Sequence, residues 1–176
     1  MTSSAKKLIV GLALMMTSSL VLAQGKIVVL DLQAAVLSTT AAQGQLAQLE
    51  QNAEYVALMT RYEALTEDIQ NLQKDVEQNA MTWSEEDRNK KEEEARALRQ
   101  EYETTVHTLQ NARQQVMQVI MQQMRASTSE VLEGLIEAEK IGLVVSSEAV
   151  YHATEHYDIT ERVTQLLNQR AQERQQ

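Results

Sequence analysis

The sequence predicts an α+β protein: a small β-rich oligomerisation body carrying one long antiparallel α-helical hairpin, a coiled-coil arm. Three observations lead there. Pro is absent from all 176 residues and Gly stands only at positions 11, 25, 44, 134 and 142, so residues 45–133 contain neither breaker. Within that stretch apolar residues recur at alternating spacings of three and four, the period of helices that meet along a seam. Short β-branched runs lie only outside it, near the two ends.

Composition narrows the class further. With no Phe, one Trp and 3% aromatics against 43% hydrophobic residues, the core must be built from Leu, Val, Ile, Met and Ala. Zero Cys excludes disulfide scaffolds, thiolate zinc sites, iron–sulfur clusters and thiol catalysis. A formal charge of −9 and an isoelectric point near 4.9 argue against a general nucleic-acid binder.

The elements follow in order. Residues 1–23 read as a cleaved signal peptide, with Lys6 and Lys7 basic, Leu8 to Met16 apolar, and Val21-Leu22-Ala23 before the cut. Thr17-Ser18-Ser19 interrupts the run and makes it too short for a membrane span. The mature chain loses two lysines, moves from −9 to −11, and is expected to be exported and soluble. Lys26 to Leu30 reads as a buried strand, and Asp31 to Leu37 as a capped helical turn, with a small-residue connection through Gly44.

From Gln45 the helical period begins. Leu46, Leu49, Ala53 and Val56 form one series; Tyr55, Leu58, Tyr62, Leu65, Ile69, Leu72 and Val76 form another, with a stutter near residues 55–58. The pattern stops at residues 78–84. Ser84-Glu85-Glu86-Asp87 resembles a capping box that starts a returning helix, whose seam is Leu98, Tyr102, Thr105, Leu109, Ala112, Val116 and Val119. The outgoing helix, about 35 residues, would be roughly 50 Å long. After Gly134, Ile141 to Val145 reads as a second strand, Ser146-Ser147-Glu148 as a turn, and Ala149 to Ala153 as a third strand. Asp158 to Glu161 caps a last helix, and residues 171–176 are expected to fray. The domain reading is thus a body from residues 24–44 and 134–170 and an arm from 45–133. Three short strands are marginal alone, so the body should be completed by other copies of the chain.

Few residues suggest chemistry. His152 and His156 stand four apart but lack the Glu directly after the first His that a zincin needs. His107 stands alone on the returning helix, with no obvious acid or nucleophile partner. The charged run Arg88 to Arg99 reads as a solvated helix face laced with ion pairs. No phosphate loop or nucleophile–base set is present, so neither an enzyme nor a cofactor is expected. Met117, Met121 and Met124 share a face of the returning helix, and either pack in the seam or form an adaptable apolar surface. Trp83 at the hairpin tip either staples the turn or touches a partner.

The motifs at the two ends resemble the Skp/OmpH family of periplasmic chaperones for outer-membrane proteins. Lys26-Ile27-Val28-Val29-Leu30-Asp31 with Val36 is similar to the family's opening strand and helix start. Ser84 to Glu92 is similar to its hairpin tip, and Ile141 to Val145, Ala149 to Tyr151, Asp158 to Thr160 and Val163 to Asn168 to its closing elements. The resemblance implies a jellyfish-like homotrimer whose arms enclose a cavity and hold unfolded outer-membrane β-barrel proteins without ATP. Ile27, Val29, Leu143, Val145 and Val150 are then the candidates for the trimer body, and Tyr62, Met117, Met121 and Met124 for client contact. The family's well-known members are basic, whereas residues 84–103 here carry eight acids and five bases. That charge runs against lipopolysaccharide or anionic-membrane binding. Two rivals stand beside this reading: an envelope adaptor binding one folded partner around Trp83, and a metal sensor using His152 and His156.

Overall fold

The computed structural model describes residues 25–174. The expected signal peptide at 1–23 lies outside them. The described chain divides into two compact units, one of residues 36–125 and the other of residues 25–35 with 126–174. The divisions fall inside helices, at 35/36 and 125/126, so residues 36–44 group with the hairpin and 126–133 with the strands.

In the strand unit, β1 (Lys26–Leu30) pairs in parallel with β2 (Ile141–Ser146). Ile27 lies opposite Leu143, Val28 opposite Val144 and Val29 opposite Val145. Parallel pairing needs a long crossover between its strands, which the intervening chain supplies. The register slips between Lys26 and Ile27, which face Ile141 and Leu143, leaving Gly142 as the extra residue. Glycine is required there. A Cβ on Gly142 would stand 2.9 Å from the Gly25 Cα, and a Cβ on Gly25 would stand 2.5 Å from the Gly142 Cα.

The third strand expected at Ala149–Ala153 does not form. A 3₁₀ turn at Ser147–Ala149 follows β2, and the chain then runs irregularly to Asp158. The other side of β1 is taken instead by the segment before the last helix: Val29 N donates to Tyr157 O at 2.8 Å, and Ile159 N donates to Val29 O at 3.0 Å. Residues 151–157 carry only exposed or half-buried side chains, so nothing apolar holds them as a strand.

Helix α1 (Leu32–Leu37) is capped by Asp31, whose Oδ1 accepts from Ala34 N at 2.8 Å. The terminal helix α5 runs Thr160–Glu173, past the point at residue 170 where the sequence reading ends it. Asp158 Oδ1 accepts from Thr160 N at 2.8 Å, while the Thr160 hydroxyl accepts from Asp31 N at 2.9 Å and so ties the two helix starts together. Val28, Leu30, Ala35, Ile141, Ile159, Val163 and Leu167 are buried here, joined by Val131 and Leu135 of α4 (Glu85–Glu139). Gly134 does not end α4. The helix continues to Glu139 and stops at Lys140, which takes the left-handed conformation with φ 52°.

The helical unit begins earlier than Gln45. Helix α2 (Thr40–Glu50) is capped by the buried Thr39, whose hydroxyl accepts from Ala42 N at 3.3 Å and donates to Val36 O at 2.8 Å. The single outgoing helix expected from Gln45 is interrupted. Asn52 caps a new helix, α3 (Ala53–Asn79), with its Oδ1 accepting from Glu54 N at 2.9 Å and Tyr55 N at 3.2 Å. The stutter noted near 55–58 is thus resolved by a break three residues earlier. At the other end Ser84 and Asp87 cap α4 reciprocally: Asp87 N donates to Ser84 Oγ at 3.1 Å, and Ser84 N to Asp87 Oδ2 at 3.4 Å.

Candidate functional site

Pairing of α3 with the first part of α4 is antiparallel, and it orders the candidate residues. Asp75 meets Lys91 at 3.1 Å, while fourteen residues earlier on α3 Arg61 meets Glu101, ten residues later on α4; beside that pair Tyr62 meets Tyr102 with ring centroids 5.4 Å apart. Leu65 and Leu72 of α3 and Thr105, Leu109 and Ile120 of α4 are buried in this unit. The seam read from sequence holds through Leu109. It then drifts: Ile120 is fully buried, while Val119 is 46% exposed.

Charge pairs line this hairpin on its outside. Arg61 donates to both oxygens of Glu101, each at 2.7 Å, a bidentate geometry that lowers the Glu101 carboxyl below its ordinary range and raises the guanidinium. A hydrogen bond from Asn79 at 2.8 Å, then one from Lys91, lowers Asp75. The Ser84 hydroxyl, donating to Asp87 at 2.6 Å, lowers that carboxyl in the same way. These pairs stand in water, so each adds little stability and chiefly fixes register.

Tyr62, read from sequence as a client contact, is half-buried against Tyr102, whose hydroxyl is pushed up first by its hydrogen bond with Tyr62 and then by burial. Met117, Met121 and Met124 are each half-buried on α4. Trp83 is half-buried just before α4; the more open apolar residue of the turn is Met81, 96% exposed.

In the strand unit, four of the five residues read as trimer contacts are brought together as two cross-strand pairs, Ile27 with Leu143 and Val29 with Val145. Alternation along a strand places both pairs on one face of the sheet. Ile27 and Leu143 are each 52% exposed, an apolar pair left in water; Val29 is buried. Val150 follows the 3₁₀ turn instead of lying in a strand, and is half-buried. Leu32, Tyr151 and Tyr157 add further exposed apolar surface to the same unit. Lys26 and Arg162 both reach Glu139, at 2.7 and 3.0 Å, and the hydrogen bond from Lys26 lowers the Glu139 carboxyl.

The histidines are dispersed. His152 and His156 are exposed on an irregular segment, with His156 edge-on to Tyr157, and His107 bonds Asn111 at 3.0 Å. Among the described residues no group of three His, Cys, Asp or Glu side chains converges as metal ligands, and no helix is long and apolar enough to cross a membrane.

Comparison with known proteins supplies the family. The model of the outer membrane protein (OmpH-like) family matches residues 26–167, most of the chain. The chain belongs to that family. A solved structure from Caulobacter crescentus, described as an outer membrane chaperone (OmpH-like), is 17% identical, with 84% of this chain and 86% of that one covered and a TM-score of 0.46. No protein with a curated description matches. Membership in the OmpH-like family agrees with the resemblance drawn from the sequence ends, and the fold is the mostly helical one with a small sheet that was expected.

Proposed function

We propose that this OmpH-like protein is an ATP-independent periplasmic holdase. It assembles as a homotrimer through its strand unit, and its helical hairpins hold unfolded outer-membrane β-barrel proteins and keep them from aggregating. Membership in the family over residues 26–167 carries the reading. The exposed Ile27–Leu143 pair on a two-stranded parallel sheet supports it, because parallel strands are almost always covered on both faces. Neither nucleotide nor catalysis is needed. Many weak apolar contacts from several copies hold one chain tightly in sum, and the client leaves when its own folding in the bilayer is more favourable.

The test is aggregation of several unrelated urea-unfolded β-barrel proteins, followed by light scattering with and without the mature chain. A holdase suppresses all of them, and Ile27→Asp with Leu143→Asp abolishes both trimer and suppression. Suppression by a chain that sediments as a monomer would refute the assembly; no suppression would refute the function.

One observation favours a second reading. Met81 and Trp83 present apolar surface at the hairpin turn, suited to an envelope adaptor that grips one folded partner there. Trp83→Ala separates the two: an adaptor loses its partner, whereas a holdase keeps its clients.

A further inference from the structure

The helical unit has an uncharged groove beside the break between α2 and α3. Its volume is about 430 Å³, and Gln45, Gln48, Leu49, Gln115, Val116 and Val119 line it. The surrounding sequence shares that neutrality. Glu50 is the one Lys, Arg, Asp or Glu in residues 36–53, and Arg113 the one in residues 104–124, whereas residues 84–103 carry eight acids and five bases.

We propose that this groove takes an extended, uncharged segment of an unfolded polypeptide in which apolar and polar residues alternate, the pattern of a membrane strand from a β-barrel. The proposal rests on the holdase reading and gives it a location. Charge matching carries the choice of occupant: a charged segment would be desolvated over Leu49, Val116 and Val119 with no opposite charge lining the groove, a penalty that an uncharged one avoids. Gln45 donates to Gln123 at 3.0 Å, and the exposed amides of Gln48 and Gln115 offer both donors and acceptors, which suit the unpaired backbone of an extended chain. Its alternate side chains, pointing one way every second residue, meet the apolar floor. A membrane strand of an outer-membrane barrel has this composition over about ten residues. The highly charged distal hairpin would instead stay solvated and act as a spacer.

The experiment places a photoreactive benzophenone amino acid at Gln48, at Gln115, or at the exposed Glu93 of the charged region, in the full mature chain. The probe is a urea-unfolded outer-membrane β-barrel protein, diluted into each variant and irradiated, with aggregation recorded on the same samples. Crosslinks from Gln48 and Gln115 should exceed those from Glu93 several-fold and map to membrane-strand segments of the probe. Val119→Lys should weaken probe binding about tenfold, the equivalent of one buried valine, while Glu93→Lys leaves it unchanged. Equal crosslinking at all three positions, or crosslinks on charged loops of the probe, would overturn the groove while leaving the holdase intact. A probe that aggregates unhindered even with the unmodified chain would overturn both.

Discussion

Substituting Gly142 by Ala tests the account of the strand unit at its tightest point. The added Cβ would lie 2.9 Å from the Gly25 Cα, 3.2 Å from its carbonyl carbon and 3.3 Å from its nitrogen. Carbon atoms rest at about 3.5–4.0 Å, so the start of β1 must retreat by roughly 0.6–1 Å or the bulge must be rebuilt. Backbone is less forgiving than the end of a side chain, and overpacking of this kind costs about 1–3 kcal/mol. For a chain of this size that lowers the melting temperature by roughly 4–8 °C for a 2 kcal/mol loss. The internal controls are Gly44→Ala and Gly134→Ala. Both lie inside helices with nothing within 4 Å of a built Cβ, so each should gain about 0.5–1 kcal/mol from helix propensity. Thermal unfolding by circular dichroism, at one fixed protein concentration because self-association raises apparent stability, reads all three. A Gly142→Ala protein that melts at or above the parent temperature would refute the close approach of β1 and β2.

Other perturbations act on separate links of the structure. Asn52→Ala removes the acceptor for Glu54 N and Tyr55 N and should cost about 1 kcal/mol in a urea titration; no change would mean that α2 and α3 run on as one helix. Lys140→Gly relieves a left-handed residue at the end of α4 and should raise the unfolding free energy from a urea titration by up to about 1 kcal/mol, with a clear loss contradicting the φ seen there. Asp75, Asp87, Glu101 and Glu139 all have depressed carboxyl pKa values, so their folded forms bind fewer protons than the unfolded chain. Their stabilisation is complete above the ordinary carboxylate range near 4 and is lost as pH falls through the depressed values, so the urea midpoint should hold from about pH 7 to 5 and drop below about 4. A midpoint that rises on acidification would contradict the sign.

What could be read in the sequence was local. Ser84 and Asp87 sit three apart before a helical run, and their reciprocal bonds form as that spacing requires. Leu65, Leu72 and Leu109 recur at seam spacing and are buried. The break at Asn52 had a signal too, an N-cap residue next to a stutter in the apolar pattern, but continuous helix propensity on both sides hid it. What escaped was long-range. Nothing near Gly142 announces that its neighbour is Gly25, or that β2 pairs in parallel across the whole hairpin rather than with the segment after it. The third strand failed for the same reason, since Tyr157–Ile159 occupies the edge of β1. Of the proposed surfaces, the paired apolar residues of the sheet were legible as β-branched runs. The groove at Leu49 and Val119 was not, because reading both residues as seam filled it in advance.

The most direct test of the central claim is native mass spectrometry of the mature chain, alone and mixed with a urea-unfolded outer-membrane β-barrel protein. The account predicts a trimer that takes up one unfolded client and ignores the same protein once it has folded. A monomer or dimer that leaves the client to aggregate would contradict it.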